Sequence, residues 1–145
     1  MIGLLQRVTQ AEVTVDQQSI GKIGQGLLVL VGVEPDDHQV TLERLLQRIL
    51  GYRIFEDDEG RMNQSLQQIE GGLLLVPQFT LAADTRKGMR PGFSTAAPPA
   101  LGEQLFNQLV VEARKIHPAV ACGQFGADMQ VSLTNDGPAT FWLQV

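Results

Sequence analysis

A chain of 145 residues fits one domain and is long enough to bury a core without disulfide or metal staples. Its apolar share of 43% and charged share of 19% describe a soluble globular protein and exclude a disordered or membrane-embedded one, and no apolar run reaches the length of a membrane span. The net charge of −5 argues against gripping long nucleic acid through many phosphates, while leaving room for contact with an RNA end.

In chain order, the first ten residues, Met1 to Gln10, lack the basic start and long apolar core of a signal peptide. Alternation over Gly3 to Gln10 and Glu12 to Asp16 predicts two strands, followed by a Gly-rich turn and a buried strand over Leu27 to Val33. Helical spacing of Val40, Leu42, Leu45, Leu46, Ile49 and Leu50 predicts a helix over Gln39 to Leu50, opened by Pro35-Asp36-Asp37 and stopped by Gly51. A short strand over Tyr52 to Phe55, an acidic turn over Glu56 to Gly60 and a buried strand over Gly72 to Thr80 follow. Pro98-Pro99 introduces a second helix, about Ala100 to Ile116, ended by Pro118. Strands over Ala119 to Phe125, Gln130 to Thr134 and Ala139 to Val145 complete the chain. With many strands, two main helices and no repeat or linker, the chain reads as a single α/β domain with mixed sheets over residues 1–145. Consecutive strands at both ends argue against a purely parallel doubly wound sheet.

Familiar catalytic signatures are missing. There is no Gly-x-Ser-x-Gly elbow, phosphate loop or dinucleotide fingerprint. Glu56-Asp57-Asp58-Glu59 lacks the ligand spacing of a calcium loop and reads as a solvated turn. His38 and His117 fall at helix ends, where capping or surface exposure accounts for them, and neither has a matching ligand at metal spacing. The single cysteine, Cys122, precludes an internal disulfide, suits a reducing cytoplasm and reads as a packing residue. No metal or cofactor is expected. Basic residues gather once, at Arg86, Lys87 and Arg90, which by charge alone is a solvated loop.

Two motifs stand out. Asn135-Asp136-Gly137-Pro138-Ala139-Thr140 is a polar turn signal set directly against the apolar strand Phe141 to Val145. Val76-Pro77-Gln78-Phe79-Thr80-Leu81 closes an apolar run and opens into the basic loop. Together with Gln6-Arg7-Val8, Gly51-Tyr52-Arg53-Ile54-Phe55, Met62-Asn63, Gly88-Met89-Arg90-Pro91 and Ala127-Asp128-Met129-Gln130-Val131-Ser132-Leu133, they resemble the bacterial-type D-aminoacyl-tRNA deacylases over nearly the whole chain. The departure is Pro77, where the family usually has Ser.

The resemblance implies a three-layer β/β/α arrangement, two sheets packed together with helices covering one of them. It also implies a cytoplasmic homodimer with active sites near the subunit interface and no membrane attachment. The implied substrate is the 3′ end of aminoacyl-tRNA, as the ester of a D-amino acid. Within that frame Gln78, Phe79 and Thr80 are the catalytic segment: the N–H of Phe79 or Thr80 would donate to the developing oxyanion, and Gln78 and Thr80 would orient the ribose and water. Thr80 lacks a neighbouring base to act as a nucleophile, since Gln78 is an amide. The vicinal ribose hydroxyl of the substrate would assist the attacking water. Gly137 and Pro138, in a cis arrangement, would turn carbonyls into the partner subunit's pocket and reject L side chains while admitting D residues and glycine, with Arg7 holding the motif. Arg86, Lys87 and Arg90 would contact the tRNA. Two alternatives remain open: a noncatalytic binder of aminoacyl-tRNA ends, with Pro77 marking lost activity, and a small-molecule esterase using Thr80.

Overall fold

The structure, a computed structural model, describes residues 1–145. Strand β1 (Ile2–Val15) runs unbroken through the expected boundary near Ala11. It turns at Asp16-Gln17, both at positive φ as a two-residue hairpin turn requires, and returns through β2 (Gln18–Ile23) and β3 (Gly26–Gly32). The pairing keeps one register from Ile2 opposite Gly32 to Val13 opposite Gly21. The Gly-rich segment expected as a turn is therefore largely strand. Its side chains are mostly exposed, which removes the alternation that would have revealed it.

Helix α1 (Gln39–Gly51) begins with a capping box: His38 Nδ1 accepts from the Val40 N–H at 3.2 Å and Thr41 Oγ1 accepts from the His38 N–H at 2.9 Å. A small hairpin, β4 (Arg53–Glu56) with β5 (Met62–Ser65), and a single helical turn, α2 (Leu66–Ile69), precede β6 (Gly72–Pro77). Neither β5 nor α2 was expected, since four-residue elements carry no readable period. Helix α3 (Pro99–Ile116) starts with Pro at its first turn, where the missing N–H costs nothing, and ends at His117, whose N–H caps Ala113. His117 is buried, and its Nε2 lies 2.7 Å from the Gly71 carbonyl. That bond corrects the surface expectation: a carbonyl can only accept, so Nε2–H is the donor.

The main sheet runs β2-β1-β3-β6-β7, with β7 (Val120–Cys122) shorter than expected and β8 (Gln130–Gln144) on the other edge of β1. Pairs β3–β6 and β6–β7 are parallel and the others antiparallel, giving the mixed sheet. Two β layers arise because this one sheet curls back on itself. A Cβ added to Gly21 of β2 would meet the Cys122 carbonyl of β7 at 2.9 Å, so the ends nearly close. Val8, Val13, Ile23, Leu28, Leu74 and Val76 fill the inside of the curl. Leu27, Val29, Leu73 and Leu75 point the other way, against Leu45, Ile49, Leu105 and Leu109 of the helices, making the third layer. Both faces of β3 and β6 are covered, which explains their continuous apolar sequence. Truncating a wholly buried residue such as Leu45 to Ala costs about 2–5 kcal/mol. No helix is long and apolar enough to cross a membrane.

Candidate functional site

The end of β6 faces a cavity of about 460 Å3, walled by Val31, Pro77, Phe106, Phe125 and Met129. Pro77, lacking an N–H, ends the strand, and the Gln78 N–H makes a last bond to the Val31 carbonyl at 2.8 Å. Beyond it the backbone folds into a 3-10 turn over Phe79–Ala82 rather than continuing as strand to Thr80, with Leu81 N–H donating to the Gln78 carbonyl at 3.2 Å. Phe79 and Thr80 thus occupy the opening positions of a helical turn, whose N–H groups have no acceptor within the turn. The Gln78 amide donates to Thr80 Oγ1, an arrangement that orients the hydroxyl without supplying a base.

The opposite wall is the loop after β7. The Gly123 N–H donates to the Leu75 carbonyl at 2.8 Å, and Gly126 turns the chain at φ 77. A Cβ at Gly123 would lie 2.8 Å from Met129 Sδ and 3.2 Å from Pro77 Cδ, so Pro77 and Met129 close over a bare glycine. Asp128 supplies a carboxylate to this otherwise largely apolar lining. Phe106, Phe125, Asp128 and Met129 received no role from sequence. The parallel β6–β7 pairing brings them to Pro77 from 48 or more residues away for the loop members, and no local pattern records that pairing.

Arg7 and Gly137-Pro138 come together elsewhere. Strand β8 does not break into a hairpin turn at Asn135–Pro138, because register jumps between Gln6 opposite Thr140 and Val8 opposite Asn135, leaving the intervening β8 residues as a bulge in one long strand. The Gly137-Pro138 peptide is cis. Arg7, only 5% exposed, donates from Nε to the Asp136 carbonyl at 2.9 Å and from Nη1 to the Ile54 carbonyl at 2.8 Å. Its Nε also lies 3.3 Å from the Asp136 carboxylate. Asn135 Nδ2 closes the bulge by donating to the Arg7 and Ala139 carbonyls.

The bulge and the cavity do not meet within one chain. Arg7 pairs with Leu27, whereas Pro77 pairs with Val31, four residues further along β3. Strands β1 and β3 intervene between β8 and β6. Strand spacing alone puts the two places on the order of 13 Å apart along the strands and 14 Å across them.

The basic loop is pinned at its base by paired bonds between Asp84 and Gly92 at 2.7 and 3.0 Å. Arg86 is already engaged: it grips Asp84 with Nε at 2.8 Å and Nη2 at 2.7 Å, and this fork holds the carboxyl well below the usual range. Lys87 and Arg90 make no ion pair, since none of the salt bridges includes them. No group of three or more His, Cys, Asp or Glu side chains is gathered to hold a metal ion. Cys122 has a basic neighbour that sequence did not disclose, Arg114, whose Nη2 lies 3.7 Å from Sγ.

Comparison with known proteins gives a consistent result. The family model described as D-Tyr-tRNA(Tyr) deacylase matches residues 4–144. A curated D-aminoacyl-tRNA deacylase of Pseudomonas fluorescens is 62% identical over 144 residues, 99% of each chain. One from Thioalkalivibrio sulfidiphilus is 61% identical over 145 residues, covering 100% of this chain and 97% of the relative. Among solved structures, a c-Myc DNA unwinding element binding protein aligns with TM-score 0.95 at 38% identity over 100% of this chain and 99% of its own. A probable eukaryotic D-amino acid tRNA deacylase shares the fold, with TM-score 0.77 at 22% identity over 98% of both chains.

Proposed function

The chain belongs to the D-Tyr-tRNA(Tyr) deacylase family, and we propose that it hydrolyses the ester joining a D-amino acid to the terminal adenosine of tRNA. The observation that carries this reading is the Gln78–Thr80 turn at the mouth of a mainly apolar cavity, in a chain that matches named deacylases over its whole length. An apolar slot walled by Phe106, Phe125 and Met129 suits the flat face of a purine, which would put the adjoining ribose ester at the turn.

In the proposed reaction water attacks the ester carbonyl and the N–H of Phe79 or Thr80 stabilises the oxyanion. The vicinal ribose hydroxyl assists the water, and the ester oxygen leaves with a proton as the second ribose hydroxyl. The products are the free D-amino acid and tRNA. Thr80 orients rather than attacks, which agrees with its only side-chain partner being an amide.

Chiral selection falls to Gly137 and Pro138, contributed by a second copy and held by Arg7. The motif lies on β8, whose outer edge carries no strand over 15 residues and exposes Trp142, features that suit pairing with another copy. Selection by backbone would admit any D side chain and glycine as well. Lys87 and Arg90, with Arg86 engaged by Asp84, would meet phosphates near the tRNA 3′ end in the cytoplasm. Purified protein should release D-tyrosine from D-tyrosyl-tRNA and leave L-tyrosyl-tRNA intact. Substrate lacking the vicinal hydroxyl should bind and hydrolyse far more slowly. Binding of both acylated tRNAs without release would support the noncatalytic alternative.

A further inference from the structure

Two phenylalanines stand half out of the surface beside the cavity mouth. Phe79 is 54% exposed and Phe93 45% exposed, with ring centroids 5.2 Å apart and planes tilted by 54°. Adjacent half-exposed rings at a cavity mouth offer a ready contact surface for a flat ligand. Their support is rigid for a loop. The Asp84–Gly92 pairing fixes the chain immediately before Phe93, the Thr95 hydroxyl donates to the Ala82 carbonyl at 2.6 Å, and the Ala97 N–H donates to the Val33 carbonyl at 2.9 Å. The same loop carries Lys87 and Arg90 without ionic partners and presents Met89 wholly to solvent.

We propose that Phe79, Phe93 and Met89, with Lys87 and Arg90, form a stacking platform for the unpaired bases that precede the terminal adenosine of the tRNA 3′ end. Unpaired bases offer π-faces to aromatic rings, while cations spaced along the loop meet the connecting phosphates. An acidic protein of net charge −5 that sets two unpaired cations, Lys87 and Arg90, in the same loop region as exposed aromatics is suited to a short single strand rather than a duplex. The inference rests on the proposed deacylase reading for its choice of RNA, but it concerns binding and has a readout independent of hydrolysis.

The test uses a short single-stranded RNA ending in CCA, with 2-aminopurine replacing the base two positions before the terminal adenosine. Stacking on the platform should quench its fluorescence. Phe93→Leu, which keeps an apolar side chain but no ring, should weaken binding about tenfold, and Phe93→Trp should restore it. With acylated substrates, Phe93→Leu should raise KM for D-aminoacyl-tRNA far more than for D-aminoacyl-adenosine. Circular dichroism of both variants excludes misfolding as the cause. Equal losses on both substrates would overturn the platform while leaving the deacylase intact. Phe93-dependent quenching in a protein that hydrolyses neither substrate would uphold the platform and overturn the deacylase reading. Dissociation of a dimer by Phe93→Leu with unchanged RNA quenching would also overturn the platform, assigning the aromatic pair to a subunit contact.

Discussion

The Gln78–Ala82 turn and the Asp136–Pro138 bulge are built on opposite principles. The turn is concave and complete: the Val31 carbonyl anchors its start, a cavity of about 460 Å3 lies in front of it, and walls from α3 and the β7–β8 loop surround it. The bulge projects from an open sheet edge, anchored from behind by buried Arg7 and faced by nothing from its own chain. A segment so firmly held, yet so exposed, suits the proposed contact with a second copy. This contrast is why the proposed pocket joins the turn of one copy to the bulge of another.

The sharpest way to separate the two regions is to remove a backbone donor from the turn. Phe79→Pro deletes one N–H at the first position of a helical turn, where proline is tolerated, so the fold should persist. The kcat for D-aminoacyl-tRNA should fall about 100- to 1000-fold if that N–H holds the oxyanion, the loss of the ring registering in KM instead. An unchanged kcat would transfer the role to Thr80 N–H.

At the bulge, Arg7→Ala leaves the Ile54 and Asp136 carbonyls without their charged donor. Urea denaturation should register a loss of about 3 kcal/mol, with the half-exposed Asp136 carboxylate contributing little of it. Discrimination between D- and L-aminoacyl-tRNA should weaken in the protein that remains folded. Intact discrimination would mean that the bulge keeps its shape without Arg7.

Thr80→Ala should be milder, reducing kcat by less than about tenfold, because in the proposed reaction the side chain orients water and supplies no bond-making atom. An acyl-enzyme trapped on Thr80 would restore the esterase reading.

The smallest effect concerns pH. Asp84 is held below its ordinary value of 3.8 chiefly by the Arg86 side-chain hydrogen bond. A depressed carboxylate contributes its stabilisation above the ordinary value and loses it as pH falls through the lowered one. The chemical shift of the Arg86 Nε–H should therefore stay constant from neutrality to about pH 4. A titration centred near the ordinary carboxylate value would show the Asp84–Arg86 fork to be absent in solution.

The same contrast governs what the sequence disclosed. Helices α1 and α3 were legible because their apolar positions repeat at helical spacing and prolines and glycines mark their ends. Buried β3 and β6 were legible as apolar runs. Strand β2 was hidden by its exposed, mixed composition, and β8 by Asn135-Asp136-Gly137-Pro138, whose turn chemistry is real but serves a bulge. At the site, Gln78 to Thr80 stood out as a polar break after an apolar run. Phe125 and Met129 did not, because only tertiary pairing carries their loop to Pro77. His117 looked like a surface cap because burial against Gly71 is likewise a long-range fact.

The most direct test of the shared pocket is complementation between two inactive chains. Phe79→Pro removes the proposed oxyanion donor from the turn. Gly137→Ala spoils the bulge, since the added Cβ would meet Asn135 Oδ1 at 2.5 Å and displace the side chain that closes it. Co-refolded at equal concentration, the two variants should recover about a quarter of the wild-type rate on D-aminoacyl-tRNA, because each mixed dimer holds one site with an intact turn and an intact bulge. If mixed dimers form and no activity returns, both regions act within a single chain and the cross-subunit pocket is wrong.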